Sequence, residues 1–535
     1  MVPKIQRVLG LLLVSALLAV SNRAVPAAAL PGTDTEPTLA LVGEVHRAAS
    51  CSQEAVQDAV DAASDGDLVL VPAGHCTWTT PLAATPAVEI NGKGITVQGA
   101  GIGQTVITDA TGSAWRQTPF WIEGLEGHPF RITGFTFTGQ PSAQGVIYVR
   151  GTCKDFRIDH CRFENLNGRS IMVSGPAYGV IDHCEFIQPH GQGVWVGDGR
   201  GNPPGSTSWE EEMSYGTADA VFIEDSTFIW GSGADGAVDC TDGGRYVFRH
   251  NVVQGIMVGN HGMDSRPRSC LQMEIYDNTF IPSSHDVYLA IQSRGGSAVV
   301  FNNAISGDVG VYRVSIGVTN YRSCCYAGAA CTPYPNPPHG TCDGTNSLDG
   351  NTEPQAVYKG WPCKDQIGRG AQQNSEPFYE WNNTKNGADV DVTVYNNWIG
   401  CTDPKPSDHV QEGRDYFNDT EKPGYTPYVY PQPLTWELDL QGTPDNGAIH
   451  LDWTVHAYLP PITTWRIDYE GTLGHEPSPI TGIVSPTRDY ILPGLTNYTW
   501  YTVTLTVDTT PPLSDTVRVM PTDILVYLPA VLKGD

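Results

Sequence analysis

The stretch FRIDHCRF, residues 156–163, decides the fold because close variants of it return along the chain. GVIDHCEF occupies 179–186 and VFIEDSTF occupies 221–228. Further copies end at Phe137, Val253, Phe280, Ile305 and Ile399. Most copies are 23 to 27 residues apart, and a fixed period in this range is typical of stacked supersecondary units. We therefore predict an all-β fold, a parallel β-helix in which each copy is one rung.

Two columns of side chains support this stacking. The repeat aligns an apolar residue that we expect to point inward: Ile158, Ile181, Ile223, Phe248, Ile275, Val300 and Val394. Three positions later it aligns Cys161, Cys184, Ser226, Asn251, Asn278, Asn303 and Asn397. Stacked Asn amides can hydrogen-bond to one another along the solenoid axis, so the second column predicts a polar ladder at a turn. A disulfide between Cys161 and Cys184 is an open alternative.

A second, Gly-flanked strand follows most copies, at 170–175, 193–199, 235–240, 255–260 and 286–293. This spacing predicts two or three strands per turn. The open end of such a solenoid needs a cap, and residues 51–63 have the spacing of an amphipathic helix with Ser52 as its N-cap. A disulfide between Cys51 and Cys76 would hold this helix to the first strand.

Composition bounds the partners and the compartment. The formal net charge of −27 argues against a nucleic-acid partner. Residues 1–29 combine Lys4 and Arg7, an apolar run and three Ala residues, the pattern of a signal peptide. No later apolar run is long enough to span a membrane. We expect a secreted monomer that has neither a nucleic-acid partner nor a transmembrane segment. Its 13 Cys residues are candidates for disulfides, and because the count is odd, at least one stays free or pairs outside the chain.

The cysteines between two predicted rungs form a group: Cys324, Cys325, Cys331, Cys342, Cys363 and Cys401. Disulfides are the favoured interpretation in a secreted chain. A zinc site is the alternative, but neither a Cys-x-x-Cys pair nor a His pair accompanies them.

The segment from Cys51 to about Trp398 resembles the pectin-lyase-like superfamily of right-handed parallel β-helices. The resemblance is carried by AVQDAVDAASDGDLVLVPAGHCTW (55–78) and by the rung motif IDHCEF (181–186). It implies a right-handed β-helix over 45–423, with insertions near 198–216 and 320–390. This fold hosts lyases, glycoside hydrolases, esterases and adhesins, so activity must be argued from the site.

The pattern changes after a Pro-rich linker at 424–433. Alternating strands such as IHLDW (449–453) and YILPGLTNYTWYTVTL (490–505) predict a β-sandwich over 434–522. Gly494 and Leu495, followed by Tyr501, resemble the tyrosine corner of a fibronectin type III domain. Residues 523–535 form a short apolar tail.

Polar residues on neighbouring rungs predict a site for a polysaccharide, because neighbouring strands lie about 4.8 Å apart. These residues are Asp198, Asp235, Asp239, His261, Asp264, Arg266, Arg268, Gln292 and Arg294. In pectate lyases, acidic residues hold Ca²⁺ against the substrate carboxylate, and an Arg or Lys removes the proton α to it.

The resemblance therefore implies Ca²⁺ at Asp239, with Asp198 or Asp235 as a further ligand. It implies Arg268 or Arg266 as the base and Arg294 as the partner of the substrate carboxylate. His261 and Asp264 are further acid or base candidates, and Trp195 and Gln292 are substrate contacts. The sequence departs from the pectate-lyase signature, because Arg266 directly precedes Pro267 where the signature has one residue between them.

Three alternatives remain open. A glycoside hydrolase of the polygalacturonase type would use Asp235, Asp239 and Asp264 as paired acid and base. A non-catalytic surface or matrix protein would bind glycan through a flank of aromatic residues: Trp195, Trp209, Trp230 and Tyr288. The Asp and Arg residues could also only pair with one another. A column of His160, His183 and His250 is explained by ladder geometry better than by metal binding.

Overall fold

The computed structural model describes residues 44–80, 82, 84–139, 144–166, 168–188, 191–231, 236–263, 266–307, 311–320, 362–396, 405–435, 438–455, 464–471, 479–484, 487–507 and 513–523. The solenoid has three long sheets, here called A, B and C. Along the chain, successive strands join the three sheets in turn. Among the described strands of these sheets, every pairing between rungs is parallel, and the last pair of sheet B is antiparallel. The predicted parallel β-helix is confirmed.

Sheet A has 12 strands: Val45–Arg47, Leu68–Leu70, Thr96–Gln98, Arg131–Thr133, Phe156–Asp159, Gly179–Asp182, Val221–Glu224, Arg245–Arg249, Gln272–Tyr276, Ser297–Phe301, Phe378–Trp381 and Tyr416–Phe417. Sheet B has 11: Gly74–Trp78, Thr105–Asp109, Thr136–Gly139, Arg162–Glu164, Glu185–Gln188, Thr227–Trp230, Val252–Gln254, Thr279–Ile281, Ala304–Ile305, Thr384–Lys385 and Ala388–Asp389. Sheet C has 10: Val88–Asn91, Phe120–Gly124, Ile147–Gly151, Ile171–Ser174, Val194–Gly197, Gly236–Thr241, Met257–Asn260, Val287–Ser293, Val311–Val318 and Val392–Val394.

The repeat folds as a strand of sheet A, a bend and a strand of sheet B. Ile158 pairs with Ile181, which pairs with Ile223, and all three are fully buried. Four phenylalanines form a second column, in which successive ring centroids are 5.5, 4.9 and 4.5 Å apart: Phe137, Phe163, Phe186 and Phe228. Stacked rings at this separation add to the apolar burial of the core. Sheet C contains all five predicted second strands, so each complete turn has three strands.

The asparagine ladder is present, but its last member differs from the prediction. The Nδ2 atom of Asn251 donates to Asn278 Oδ1 at 3.2 Å, and Asn278 donates to Asn303 at 2.9 Å. Asn303 then donates to Asn383 at 2.8 Å rather than to Asn397. The assignment of 392–399 to a sheet A rung was wrong, because Val392–Val394 extends sheet C and Phe378–Trp381 continues sheet A. Asn397 lies outside the described residues.

The cap and its disulfide agree with the sequence. A helix spans Gln53–Ala62, and the Ser52 hydroxyl accepts a hydrogen bond from the Ala55 amide at 3.4 Å. A disulfide joins Cys51 to Cys76. Cys161 and Cys184 are buried free thiols, so the alternative of a bond between them is wrong.

The other helical turns in the described residues are short: Pro406–His409 and the 3₁₀ turns Ser208–Glu210, Ala371–Gln373 and Pro433–Thr435. Within the described part of the chain, no helix is long and apolar enough to cross a membrane.

Residues 424–434, here called the strap, lie against the outer face of sheet A. Arg249 donates to the carbonyls of Tyr428 and Val429 at 2.8 and 2.9 Å, and its Nε donates to Glu224 at 2.7 Å. The Tyr425 hydroxyl donates to Glu274 at 2.6 Å. The segment expected as a linker is thus hydrogen-bonded to buried charges of the solenoid.

The C-terminal region forms two antiparallel sheets. One contains Leu438–Asp445, Ala448–Val455 and Asp489–Pro493, and the other contains Thr464–Gly471, Ile480–Val484, Tyr501–Val507 and Leu513–Val519. Trp453 and Trp465 are buried with ring centroids 5.5 Å apart. The Tyr501 hydroxyl accepts a hydrogen bond from the Thr496 amide at 3.0 Å. These features are consistent with the predicted β-sandwich.

Candidate functional site

The site is organised around Asp239 and His261, which sheet C places on consecutive rungs. Val238 and Cys240 point into the core, so the alternation of a strand directs Asp239 to the outer face. His261 directly follows the next strand, Met257–Asn260, and its amide donates to the Cys240 carbonyl at 2.8 Å. The Asp239 Oδ1 and His261 Nδ1 atoms are 2.5 Å apart. The pair therefore joins a buried carboxylate to a partly exposed imidazole.

The carboxylate of Asp239 is held in its ionised form. Burial opposes ionisation, but the charges of His261, Arg266 and Arg169 together lower the pKa of Asp239 below its ordinary value. An ionised carboxylate only accepts hydrogen bonds, so Nδ1 of His261 carries the proton of this contact. That arrangement leaves Nε2 on the side away from Asp239. The His261 side chain is 28% exposed, so the ring is accessible for proton transfer.

A hydrogen-bonded chain supports the other oxygen of Asp239. Gln192 donates to Asp239 Oδ2 at 2.6 Å and accepts from Arg169 Nε at 2.6 Å. The Arg169 guanidinium also lies over the Trp195 ring, 5.8 Å from its centroid. Trp195 pairs with Asp239 in the sheet, and its Nε1 is buried with no hydrogen-bond partner among the described residues. The sequence prediction missed Gln192 and Arg169, although both lie on the two preceding rungs.

Trp195 lies along the outer face of sheet C. Its indole occupies the space over Gly197, where an added Cβ would come within 2.4 Å of the ring. Glycine at this position thus lets the ring lie against the backbone. The two other tryptophans of the expected flank have structural roles, because Trp209 donates to the Ser269 carbonyl and Trp230 donates to the Gly191 carbonyl, both at 3.0 Å.

Asp242 is a second carboxyl near Asp239, with the opposite electrostatic character. Burial raises the pKa of Asp242, and the negative charge of Asp239 acts in the same direction. Its carboxylate accepts a hydrogen bond from the Thr241 hydroxyl at 2.7 Å. Two neighbouring carboxyls with pKa values shifted apart are a frequent feature of acid–base sites.

Arg268, expected as the base, occupies a structural position. Its guanidinium makes a bidentate pair with Asp365, with distances of 2.6 and 2.7 Å, and both side chains are buried. It also lies 4.8 Å above the Trp209 ring. A buried guanidinium whose donors are engaged by a carboxylate cannot approach a substrate, so this geometry does not suit a base. Arg266 is half-buried and contributes positive charge to Asp239 and Asp242.

The loop from His261 to Cys270 is fixed at both ends. Cys240, which follows Asp239 in the strand, forms a disulfide with Cys270. Near the same end, the Ser269 hydroxyl donates to the Asp365 carbonyl at 3.1 Å. These bonds hold the loop that carries His261 and Arg266 against the strand that carries Asp239. Asp264, also expected in the site, lies outside the described residues.

Gln292 and Arg294 follow on the next rung. The Nε2 atom of Gln292 donates to the Tyr395 hydroxyl. The Arg294 amide donates to Asn260 Oδ1 at 2.7 Å, and Asn260 donates to the Gly295 carbonyl at 2.8 Å. Gln292 is buried under Tyr395, so a ligand could not reach it without moving that ring.

The carboxylates expected to bind Ca²⁺ do not fit a cation in the described arrangement. Arg200 makes contacts of 2.7 to 3.0 Å with both oxygens of Asp198. Asp239 contacts His261 and Gln192, and it lies in the positive field of Arg266 and Arg169. Asp235 lies outside the described residues. A cation at this position would meet repulsion from these charges.

A different acidic group has the spacing of a metal site. Carboxylate oxygens of Glu380, Asp391 and Asp419 lie within 4.8 Å of one another. Glu380 is buried and already accepts from Asn383 Nδ2 at 2.6 Å, while Asp391 and Asp419 are exposed. This group could bind a metal ion, but it involves none of the predicted ligands. Cys363 is disulfide-bonded and therefore cannot be a zinc thiolate, and the five other cysteines of its group lie outside the described residues.

The histidine column follows the ladder geometry. His160 and His183 stack with centroids 5.1 Å apart and nearly parallel planes. Each is bonded through Nδ1 to the preceding aspartate, His160 to Asp159 at 2.7 Å and His183 to Asp182 at 2.8 Å. They lie at the bend between sheets A and B, away from the outer face of sheet C.

Together, the fold and the site define a parallel β-helix protein with an Asp–His pair on the outer face of one sheet. No protein-family profile matches the sequence, and no curated protein matches it. Solved structures do match, 12 chains in number.

Three of the matching structures cover different shares of the chain. An alginate lyase from Paenibacillus sp. str. FPU-7 is 15% identical, covering 49% of this chain and 94% of its own, with a TM-score of 0.33. The A-module of the Azotobacter vinelandii mannuronan C-5 epimerase AlgE4 is 13% identical, covering 66% and 96%, with a TM-score of 0.28. A myokine structure is 14% identical, covering 16% and 93%, with a TM-score of 0.15. At these identities and TM-scores, the likenesses say nothing about what this chain binds.

Proposed function

We propose that this chain acts on an acidic polysaccharide and cleaves it by β-elimination, with His261 as the general base. The observation that carries the proposal is the pair of Asp239 and His261 on the outer face of sheet C. A buried carboxylate that fixes the proton on Nδ1 leaves Nε2 to accept a proton from a substrate. Such a pair needs a partly exposed imidazole, and His261 has one.

The reaction would proceed by one proton transfer and one bond cleavage. His261 Nε2 would take the proton from the carbon α to the uronate carboxylate, and the electrons of that C–H bond would form a carbon–carbon double bond. The glycosidic C–O bond would break at the neighbouring carbon, and the leaving oxygen would take a proton from the imidazolium or from water. The two products are an unsaturated uronate end and a new hydroxyl end.

Removal of that proton requires stabilisation of negative charge on the substrate carboxylate. Arg266 and Arg169 supply positive charge at the site, because both lower the pKa of Asp239. Guanidinium groups bind carboxylates through paired N–H donors. Since Asp198 and Asp239 do not fit Ca²⁺, we assign charge stabilisation to these arginines.

A glycoside hydrolase is the second candidate, supported by the pair of Asp239 and Asp242. The pKa of Asp239 is lowered and that of Asp242 is raised, as a base and an acid would need. The buried, hydrogen-bonded state of both carboxylates counts against direct contact with a glycosidic bond.

The remaining expectations complete the proposal: a signal peptide at 1–29, secretion and a monomeric chain. We also propose that 434–522 is a fibronectin type III-like domain, which the Tyr501 contact supports.

A substrate panel tests the reaction. Purified protein is incubated with polygalacturonate, alginate, hyaluronan and neutral dextran, with added Ca²⁺ or with a chelator. We expect an ultraviolet-absorbing unsaturated product from a uronate polymer in both conditions and none from dextran. New reducing ends without absorbance would contradict β-elimination and favour the hydrolase. Retention of polymer with neither signal would favour a glycan-binding protein.

A further inference from the structure

An aromatic cluster lies on the outer face of sheet C, several rungs before Asp239. Trp121 and Tyr148 pair across neighbouring strands, with ring centroids 4.6 Å apart and nearly perpendicular planes. Trp115, from the preceding loop, contacts both, at 5.2 and 6.0 Å. Trp121 and Tyr148 are buried, whereas Trp115 is 52% exposed. An exposed indole held in place by two buried rings offers a fixed stacking surface to a ligand.

Two guanidinium groups lie on the same cluster. The Arg116 and Arg150 carbons Cζ are 4.9 and 5.5 Å from the Trp121 centroid. Arg116 contacts Glu89 at 2.5 Å, and Arg150 contacts Glu123 at 3.1 Å. Each contact uses only part of a five-donor group, and both side chains are about a third exposed or more. The cluster therefore combines a stacking surface with donors that suit hydroxyls and carboxylates.

The register connects this cluster to the Asp–His pair. One outer-face residue per rung forms a continuous column, from Trp121 through Tyr148, Met172 and Trp195 to Asp239. Four rungs separate Trp121 from Asp239, which is about 19 Å at 4.8 Å per rung. Three arginines lie beside this column: Arg150, Arg169 and Arg266. An extended polymer lying along the column would contact both the aromatic cluster and the Asp–His pair.

On the side of His261 that faces away from Trp121, the protein's own side chains cover the outer face of sheet C. The side chains of Leu289 and Tyr395 lie over Gly317, where an added Cβ would come within 2.3 and 3.1 Å of them. Leu289 and Tyr395 are both buried and pack with Met257 and Val314. Beyond His261, the outer face of sheet C is thus filled by the protein's own side chains. A long ligand bound at His261 would extend toward Trp195 and Trp121.

We propose that Trp115, Trp121, Tyr148, Arg116 and Arg150 form a remote binding subsite for a non-reacting stretch of the acidic glycan. This inference rests on the proposed function for the identity of the glycan, but its test does not depend on turnover. The aromatic stacking surface and its continuity with the Asp–His site favour this occupant over a protein partner. The subsite makes the chain specific for polymers long enough to span the column.

Binding measured without catalysis tests the subsite. The probes are polygalacturonate and alginate, titrated by affinity electrophoresis into His261→Ala and into His261→Ala combined with Trp115→Ala. Loss of one stacking surface predicts roughly three- to tenfold weaker binding of the polymer. Trp115 is exposed, so its replacement leaves the fold intact, as a thermal melt would show. Trp500→Ala is the matched control, because Trp500 is also exposed but lies in the C-terminal region, where Arg518 is 5.0 Å from its ring centroid.

Three results would overturn the subsite. The first is equal polymer binding by His261→Ala with and without Trp115→Ala. The others are a loss of binding with Trp500→Ala equal to that with Trp115→Ala, and no polymer binding at all. Polymer binding that depends on Trp115, without any unsaturated product from the wild type, would support the subsite and overturn only the proposed reaction. In active protein, Trp115→Ala is expected to raise KM for the polymer by a larger factor than KM for short oligouronates.

Discussion

The Oδ1 atom of Asp239 lies 2.5 Å from Nδ1 of His261, although the two residues are 22 positions apart in the chain. One turn of the solenoid separates them, so consecutive rungs bring them together. Gln192, from the rung before, contacts the other oxygen of the same carboxylate. Three rungs therefore contribute to one hydrogen-bonded unit.

Asp239→Asn is expected to reduce turnover by roughly 10²- to 10⁴-fold, the usual contribution of a positioned acid–base group. The amide would remove the negative charge that fixes the His261 tautomer and stabilises the imidazolium. Initial rates of unsaturated product formation on a uronate polymer measure the effect. Asp219→Asn, at an exposed pair with Lys154, is the control and should keep full activity. Unchanged rates in Asp239→Asn would show that the pair is not catalytic.

Removal of the Cys240–Cys270 disulfide, by replacing both residues with Ala, is expected to lower activity as well as stability. The bond closes a sequence separation of 30 residues that includes His261 and Arg266. Loss of a disulfide commonly costs 2–4 kcal/mol, about the range expected here. The corresponding Cys51 and Cys76 double variant should lose stability but retain activity per folded molecule. Denaturant melts and turnover on the same samples separate the two effects, and equal activity in both variants would contradict the positioning role.

Asp365→Ala is expected to destabilise the protein by about 3–5 kcal/mol, because it leaves the buried charge of Arg268 without its partner. Asp286→Ala, which breaks an exposed pair with Arg313, should cost about 0–1 kcal/mol. Urea unfolding midpoints measure both. A small effect of Asp365→Ala would mean that Arg268 is not anchored there and would restore it as a candidate base.

Glu274, which accepts a hydrogen bond from the strap, is expected to make the protein's stability depend on pH. Burial raises the pKa of Glu274 above its ordinary value, against the hydrogen bonds from Tyr425, Gly216 and Gln272. The folded protein then holds this proton more tightly than the unfolded chain does. The contribution of Glu274 to stability is therefore greatest below the unfolded pKa, near 4.5, and falls as pH rises through the raised folded pKa.

Glu274→Gln is expected to flatten this part of the stability profile. The free energy of unfolding, measured by urea melts from acidic to neutral pH, should fall less steeply with rising pH than in the wild type. Glu126→Gln, at an exposed turn, serves as the control and should retain the wild-type slope. Parallel profiles for wild type and Glu274→Gln would rule out the proposed proton linkage.

The sequence predicts the solenoid well because its determinants are local and repeated. Ile158, Phe163 and Asn251 each recur at a fixed period, and each period corresponds to one column in the structure. Ser52, with the apolar residues that follow it, likewise specifies the capping helix. The rung at 392–399 was misplaced. Its motif matches the repeat, but it follows a long insertion, so the sequence did not indicate which sheet the strand would join.

The site was harder to predict because its contacts depend on long-range placement. Arg268 belongs to the right loop, but its partner Asp365 is 97 residues away, in the segment expected as an insertion. Asp198 was expected to bind a cation, yet Arg200, two residues later, bends back onto it. Gln192 is an ordinary polar residue in sequence, and only the register of sheet C places it beside Asp239.

The most direct test of the proposed chemistry compares two histidines that each hydrogen-bond an aspartate through Nδ1. His261→Ala removes the proposed base, whereas His183→Ala removes the imidazole that contacts Asp182 at the bend between sheets A and B. The measurement is the ultraviolet absorbance of unsaturated product from a uronate polymer, at equal concentrations of folded protein. We predict that His261→Ala abolishes the product and that His183→Ala retains the wild-type rate. Product formation by His261→Ala at the wild-type rate would contradict the proposed function.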